Sequence, residues 1–401
     1  MIQYEPAGKH EHLNKCIIFG LLMFLISCAP EKEQVSDIKV LPNNSTAISV
    51  LDHVEYVEII ALETVVESLL RNVISVQFAD DFIFVSDTDG SVFSFKRCGR
   101  FVARIGRRGQ GPEDHLSSLA FFVDERNRHV VLIDVARRAF IKHDFYGRFQ
   151  GVQQIPLEAI RETQNALLMD DGTLLLNRAI MTMLGETNRA YTALSGYNFQ
   201  YIEMFSPYYP ITAENHMMVF SNHPMVRTGD GGVNFIMPIN DTIFNFHNGK
   251  VIPKYRVELP ERRMRMAPRE RFQTTIENNL FSMMFYYGHR GYFTGFTGIF
   301  ETDNFILLNY RRHGIVMAHY FYDRRSGIGG YALYSTPPGK LPFHPVIFSN
   351  GNAFVSAIEA EALLDLKEGF DRNDPNNTRL FEVLDNLQFD DNHVLLLYHM
   401  R

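Results

Sequence analysis

Between Asn72 and Pro112 short apolar or alternating runs are cut at regular intervals by Asp, Gly and Arg. Ser75–Phe78, Phe82–Ser86, Val92–Lys96 and Phe101–Ile105 each read as a strand. The pattern then returns. FVSD ends at Asp87 and VLID at Asp134, 47 positions on; CGRF ends at Phe101 and YGRF at Phe149, 48 positions on. Four strands per unit at such a period predict propeller blades. A four-stranded antiparallel sheet has two apolar faces and cannot bury both alone. Stacking blades round an axis buries each face on a neighbour, which predicts nearly wholly apolar inner strands and alternating outer ones. A β-sandwich is the competing architecture, but its strands rarely repeat with turn chemistry in register.

The same reading continues along the chain. Leu119–Asp124, Val130–Asp134, Ala139–His143 and Phe149–Ile155 form a second unit. Ala166–Met169, Thr173–Asn177, Tyr191–Leu194 and Tyr201–Phe205 form a third, and Met217–Phe220, Val233–Pro238, Thr242–Phe246 and Val251–Leu259 a fourth. Phe272, Ile276, Leu280 and Met284 stand at spacing four within 261–288, which predicts a helical insertion. A fifth unit is Thr297–Glu301, Phe305–Tyr310, Val316–Tyr322 and Gly330–Tyr334. The sixth has Val346–Phe348, Ala353–Ala357 and Val394–Met400, interrupted by helices within 359–387. It lacks a strand, and Val54–Ile60 stands alone ahead of the first unit. Pairing the two closes the ring and removes open edges. The expected fold is all-β: a six-bladed β-propeller of four-stranded antiparallel blades over residues 52–401, closed by an N-terminal strand, with small helical insertions. Dividing that length by the period gives about seven units, so arithmetic alone leaves six and seven open.

Ahead of the ring, Lys9, His10, His12 and Lys15 precede an apolar run, Cys16–Ile26. Eleven residues suit a signal segment and are too few to span a bilayer. The run ends in LISC, Leu25–Cys28, which resembles a bacterial lipobox. The resemblance implies a signal peptide over 1–27, a lipidated Cys28 and a mature chain of 374 residues (401 less 27). Residues 28–51 read as a flexible tether. Glu31, Lys32 and Glu33 resemble surface-export signals. The implied address is an outer-membrane lipoprotein facing the periplasm or the cell surface.

FIFVSD followed by CGRFVARIGRRGQGP is similar to the signature of bacterial six-bladed β-propeller lipoproteins, distant relatives of NHL-type propellers. VEIIALET, NDTIFNFHNGKVIPKYRVEL and the terminal DNHVLLLYHM extend the resemblance over most of the mature chain. Family members continue Gly-Glu-Tyr after the Pro; here Glu113-Asp114-His115 stands, which removes any role for that Tyr. The resemblance implies a fold and no general activity.

Composition narrows the chemistry. Net charge is −7 with no basic stripe, which argues against a nucleic-acid partner. Three Cys without a CxxC build no disulfide framework or zinc site. Cys98, the thiol left after lipidation, is expected to be half-buried packing. No nucleophile elbow, zinc-protease motif or phosphate loop is present. Neither His313 with His319 nor His393 with His399 suits a shared metal, because six residues of strand separate each pair by roughly 20 Å. Asp80-Asp81, Asp87–Gly90 and Asp170–Gly172 are stronger as turn formers than as calcium ligands. No cofactor is expected.

One candidate site remains. Gly106–Pro112 links the outer strand of one blade to the inner strand of the next, where propeller links border the central channel. Arg107, Arg108 and Gln110 there are expected to bind an anionic or glycan ligand. The leading reading is a lipid-anchored envelope binding protein, a monomer or part of an outer-membrane complex. Its ligand would be a protein, peptide or glycan. The competing reading is a propeller-type hydrolase or lyase, lactonase or glycan-active, with its site at the channel.

Overall fold

A computed structural model describes residues 38–44, 47–116, 118–161, 163–178, 189–195, 200–207, 223–237, 240–263, 286–312, 316–334 and 339–401. Six antiparallel sheets stand in a ring. Blade 1 is Val73–Ala79, Phe82–Asp87, Val92–Lys96 and Phe101–Ile105. Blade 2 is Ser118–Asp124, His129–Asp134, Ala139–Asp144 and Phe149–Gln154. Blade 3 is Thr163–Leu168, Leu174–Arg178, Arg189–Ser195 and Gln200–Pro207. Blade 4 is Met225–Arg227, Val233–Ile236, Thr242–His247 and Lys250–Val257. Blade 5 is Phe296–Glu301, Phe305–Arg312, Val316–Asp323 and Ile328–Leu333. Blade 6 is Val346–Asn350, Ala353–Ile358, Val394–Met400 and, as its outer strand, Val54–Ala61.

The ring closes as the orphan strand predicts. Leu396 pairs with Ile59 and His399 with Tyr56, and the Arg401 amide donates to His53 O at 2.9 Å. Buried Asn392 pins the turn back into blade 1. Its amide nitrogen donates to Glu63 O and Ser68 O, both at 2.9 Å, and its oxygen accepts from Leu70 N at 2.9 Å. Between blades the cores are continuous. Phe82 and Phe84 of blade 1 lie 5.3 and 4.8 Å from the Phe145 ring of blade 2. Tyr191 of blade 3 packs on Phe235 of blade 4 at 4.6 Å and donates to Ile236 O. Each such ring, fully buried, contributes about 1.5–3 kcal/mol. In blades 1, 2, 3, 4 and 6 the second strand is wholly or almost wholly buried, while innermost strands line the hub and keep polar positions such as Gln77 and Asn165; in blade 5 the innermost strand is itself buried at all but one position.

The repeated Gly-Arg-Phe has a packing cause. Gly99 and Gly147 occupy equivalent third-to-fourth-strand turns, at φ +90° and +80°. A Cβ on Gly99 would lie 2.0 Å from Ala61 O, and one on Gly147 2.9 Å from Arg104 O. In both blades the preceding blade's outer strand runs its backbone against the turn. Asp at the strand corners satisfies backbone amides. Asp87 accepts from Asp89 N and Ser91 N, Asp144 from Tyr146 N and Arg148 N, and Asp171 from Thr173 N.

Three expectations change, and one falls outside the described residues. The inner strand of blade 4 is Met225–Arg227; Met217–Phe220 lies outside the described residues. So do 264–285, with the Phe272–Met284 stripe; beside them Arg262–Arg263 pairs in parallel with Tyr292–Phe293. In the other insertion the helices fall within 359–387 as expected, at Ala360–Asp365 and Thr378–Leu384. Cys98 is exposed, because the tight turn before Gly99 points it outward. The tether expected to run to residue 51 is, from Lys39 on, a strap. Lys39–Leu41 adds in parallel to the outer edge of blade 4 and Ala47–Ser49 to that of blade 5. Three-residue strands have no legible periodicity.

The strap depends on a bare backbone. Tyr320 Oη donates to Pro42 O at 2.7 Å, and Asn44 N to Gly329 O at 2.9 Å. A Cβ on Gly329 would lie 2.3 Å from Pro42 O and 2.1 Å from Tyr320 Oη. Gly329→Ala is therefore expected to release the strap while the blades stay folded. Limited proteolysis with mass mapping should find new cuts within 38–52; a wild-type digestion pattern would show that the strap tolerates the methyl.

Candidate functional site

All six innermost strands contribute to one cavity of about 590 Å³ at the hub. Its lining includes strand ends and the hairpin turns that follow, such as Gln77 and Phe78, Val123 and Glu125, Arg227 to Asp230, Glu301 to Asp303 and Phe348 to Gly351, and in blade 4 also His223 to Met225 at the strand start. Lys254, Tyr255 and Arg324 close the wall between blades 4 and 5. Gln77 ties two blades there, donating to Phe121 O and accepting from Val123 N, each at 3.2 Å. Phe78 and Phe348, on adjacent blades, have ring centroids 5.9 Å apart and supply an apolar side.

The charges fall into two kinds. Glu301 is buried, and both its oxygens are occupied. Asn234 donates to one at 2.6 Å, and Arg324 is ion-paired with the other while also donating to Thr302 O at 2.7 Å. Asn245 donates to Asn234 at 2.8 Å and extends the network through blade 4. Burial raises the Tyr255 phenol above its usual range, and Glu301 adds to the rise. Arg227 and Lys254 are held differently. Arg227 reaches Asp170, an 80% exposed carboxylate, at 3.1 Å and also donates to Leu168 O, and Lys254, 25% exposed, reaches Asp230 at 3.8 Å. Exposed pairs of this kind are worth about 0–1 kcal/mol, so an incoming group can exchange them. Among the described residues no group of three or more His, Cys, Asp or Glu is placed to hold a metal ion.

Arg107, Arg108 and Gln110 are exposed and are not part of this lining. On the blade 2 inner strand their link meets the start, Ser118, and the cavity the far end, Val123 and Glu125. The link is folded on itself: Gly111 N donates to Asp114 at 2.8 Å, His115 N to Arg107 O at 2.9 Å, and Gly109 N to His115 O at 3.1 Å. Arg137 clasps it from blade 2 through Gly111 O at 3.0 Å and through Asp114 O. The cavity residues escaped the sequence reading because they are gathered from all six blades. A signal existed: Asn234 and Glu301 are polar residues inside the apolar runs VNFI and FTGIFE.

A solved structure from Bacteroides fragilis, of a protein described as exported, matches with a TM-score of 0.69 at 18% identity, covering 90% of this chain and 100% of that one. A member of the duf4221 family from Bacteroides vulgatus gives 0.49 at 10% identity, over 87% and 97% of the two chains. Virginiamycin B lyase from Staphylococcus aureus, in a catalytically inactive form with quinupristin, gives 0.42 at 9% identity over 82% and 80%. The first shows the fold alone; the other two carry no argument. No curated protein matches the chain. Among the described residues no helix is long and apolar enough to cross a membrane. A family model described as a domain of unknown function, DUF4934, matches residues 33–399, essentially the whole ring with its strap, and the chain belongs to that family.

Proposed function

We propose that the protein is a lipid-anchored binding protein of the cell envelope, held at the outer membrane through Cys28, that takes a peptide, protein or glycan ligand in the hub cavity without transforming it. The observation that carries this reading is the cavity of about 590 Å³, with Arg227 and Lys254 in exposed, exchangeable pairs beside the Phe78–Phe348 side. Carboxylate or hydroxyl groups can replace Asp170 and Asp230 at little cost, while an apolar face stacks on the rings. Among the cavity's carboxylates Glu301 has both oxygens engaged and Asp230 accepts from Gly232 N, so a hydrolase or lyase would have to work through Glu125 or Asp303 at the exposed rim.

The chain has no Trp, so Phe348→Trp gives a single fluorescent reporter in the cavity. Titration with acidic and neutral peptides and oligosaccharides should find a ligand that shifts its emission. Charge reversal at Arg227 and Lys254 should weaken that ligand at least tenfold, and Arg107→Ala with Arg108→Ala should leave it unchanged. The opposite ranking moves the site to the link; a ligand recovered chemically altered sinks the non-enzymatic reading.

A further inference from the structure

The link that carries Arg107, Arg108 and Gln110 is folded over two histidines. His115, at its far end, is 3% exposed, and His143, on the third strand of blade 2, is 2% exposed. Both rings flank Gly106. A Cβ built there would lie 3.3 Å from His143 Cε1 and 3.5 Å from His115 Cδ2. Gly106 takes φ +68°, and the same Cβ would strike Leu132 at 2.7 Å, so the chain turns here only because no side chain is present. Neither imidazole Nδ1 has a hydrogen-bond partner. Two adjacent imidazoles shut away from water, each with a polar atom unsatisfied, store free energy against the closed link. Protonation turns each into a cation that this space does not solvate.

We propose that the His115–His143 pair is an acid-sensitive latch: neutral, it lets the Gly106–His115 link lie closed; protonated, it releases the link and the exposed Arg107, Arg108 and Gln110 with it. The surrounding charges favour this direction. Burial pushes both imidazoles below their ordinary value, His143 to about 4, and the His115 ring adds to the depression at His143. Around His115, Asp134 and Asp114 oppose the shift while Arg104 and Arg108 reinforce it; around His143 only Asp144 opposes it. Asp134 is itself taken up by Leu116 N at 2.7 Å and Arg137 N at 3.1 Å. The sign follows. The closed link needs neutral rings, so closure is fully favoured above the ordinary His value of about 6.5 and is lost as pH falls toward 4. One ring held near 4 when closed and near 6.5 when open raises the opening constant roughly twentyfold between pH 7 and pH 5. The blade strands on either side carry their own ladders and do not open with the link.

Hydrogen exchange read by mass spectrometry tests this on the mature chain. After correction for intrinsic rates, a peptide spanning 106–116 should lose at least tenfold in protection between pH 7 and pH 5. A peptide over His129–Asp134 should not. His143→Gln, which cannot gain the proton, should flatten the response. Equal pH response in the two peptides, or an unchanged response in His143→Gln, overturns the latch. If that variant does not fold, the wild-type comparison of the two peptides still decides.

Discussion

Gly99→Ala is expected to cost on the order of 3–5 kcal/mol, through φ strain and overpacking together. Two effects act at one position. The residue sits at φ +90°, where an L side chain is strained, and the new Cβ would stand 2.0 Å from Ala61 O and 3.0 Å from its carbonyl carbon. Neither neighbour can step aside. Ala61 pairs with Val394 at the end of the closing strand, Glu63 N donates to Gly99 O at 2.9 Å, and Glu63 accepts from Phe101 N at 2.7 Å. The methyl must therefore separate blade 1 from the strand that shuts the ring. Gly249→Ala is the control. It occupies the same kind of turn in blade 4 at φ +73°, with nothing within 4 Å of its Cβ, and should cost about 1 kcal/mol. Urea midpoints at constant slope give both values. Equal losses would mean that backbone strain alone matters and that the blade 6–blade 1 contact is soft.

That contrast also shows what the sequence could carry. The period of 47–48 residues and the apolar runs are local, so blades 1, 2 and 5 and the pairing of Val54–Ile60 with Val394–Met400 were legible. Gly99 and Gly249 look alike in sequence; which one meets a neighbour's carbonyl depends on the next blade. The strap escaped because Lys39–Leu41 and Ala47–Ser49 are too short to show alternation and pair with strands some 200 to 300 positions away, at Tyr255–Val257 and Tyr331–Leu333. The cavity escaped for a related reason. The hub cavity gathers short runs from all six blades, so no window of sequence contains more than one side of it. Arg107 and Arg108 stood out because they are adjacent in one exposed link, which a single window of sequence can show.

Arg324→Ala is expected to destabilise the ring by about 3–5 kcal/mol, because it leaves Glu301 charged and unpaired inside the wall between blades 4 and 5. Glu301 is 3% exposed at its side chain, whereas Arg324 is 25% exposed, so the carboxylate bears the larger desolvation and cannot turn to water when its partner is removed. Replacing both, Glu301→Leu with Arg324→Met, should recover most of the loss, since two apolar side chains of similar volume need no partner. Asn234 would then keep its bond from Asn245 and lose only the one it makes to Glu301. Thermal or urea unfolding of the three proteins gives the coupling directly. The same cycle discriminates between the two readings of the cavity. A carboxylate kept for structure makes the double variant nearly as stable as wild type and still able to shift the Phe348→Trp emission with its ligand. A carboxylate used for proton transfer would show as loss of ligand turnover in Glu301→Leu, whatever the stability of the variants. The Asn245–Asn234–Glu301–Arg324 chain, which engages both Glu301 oxygens across two blades, supports the first outcome.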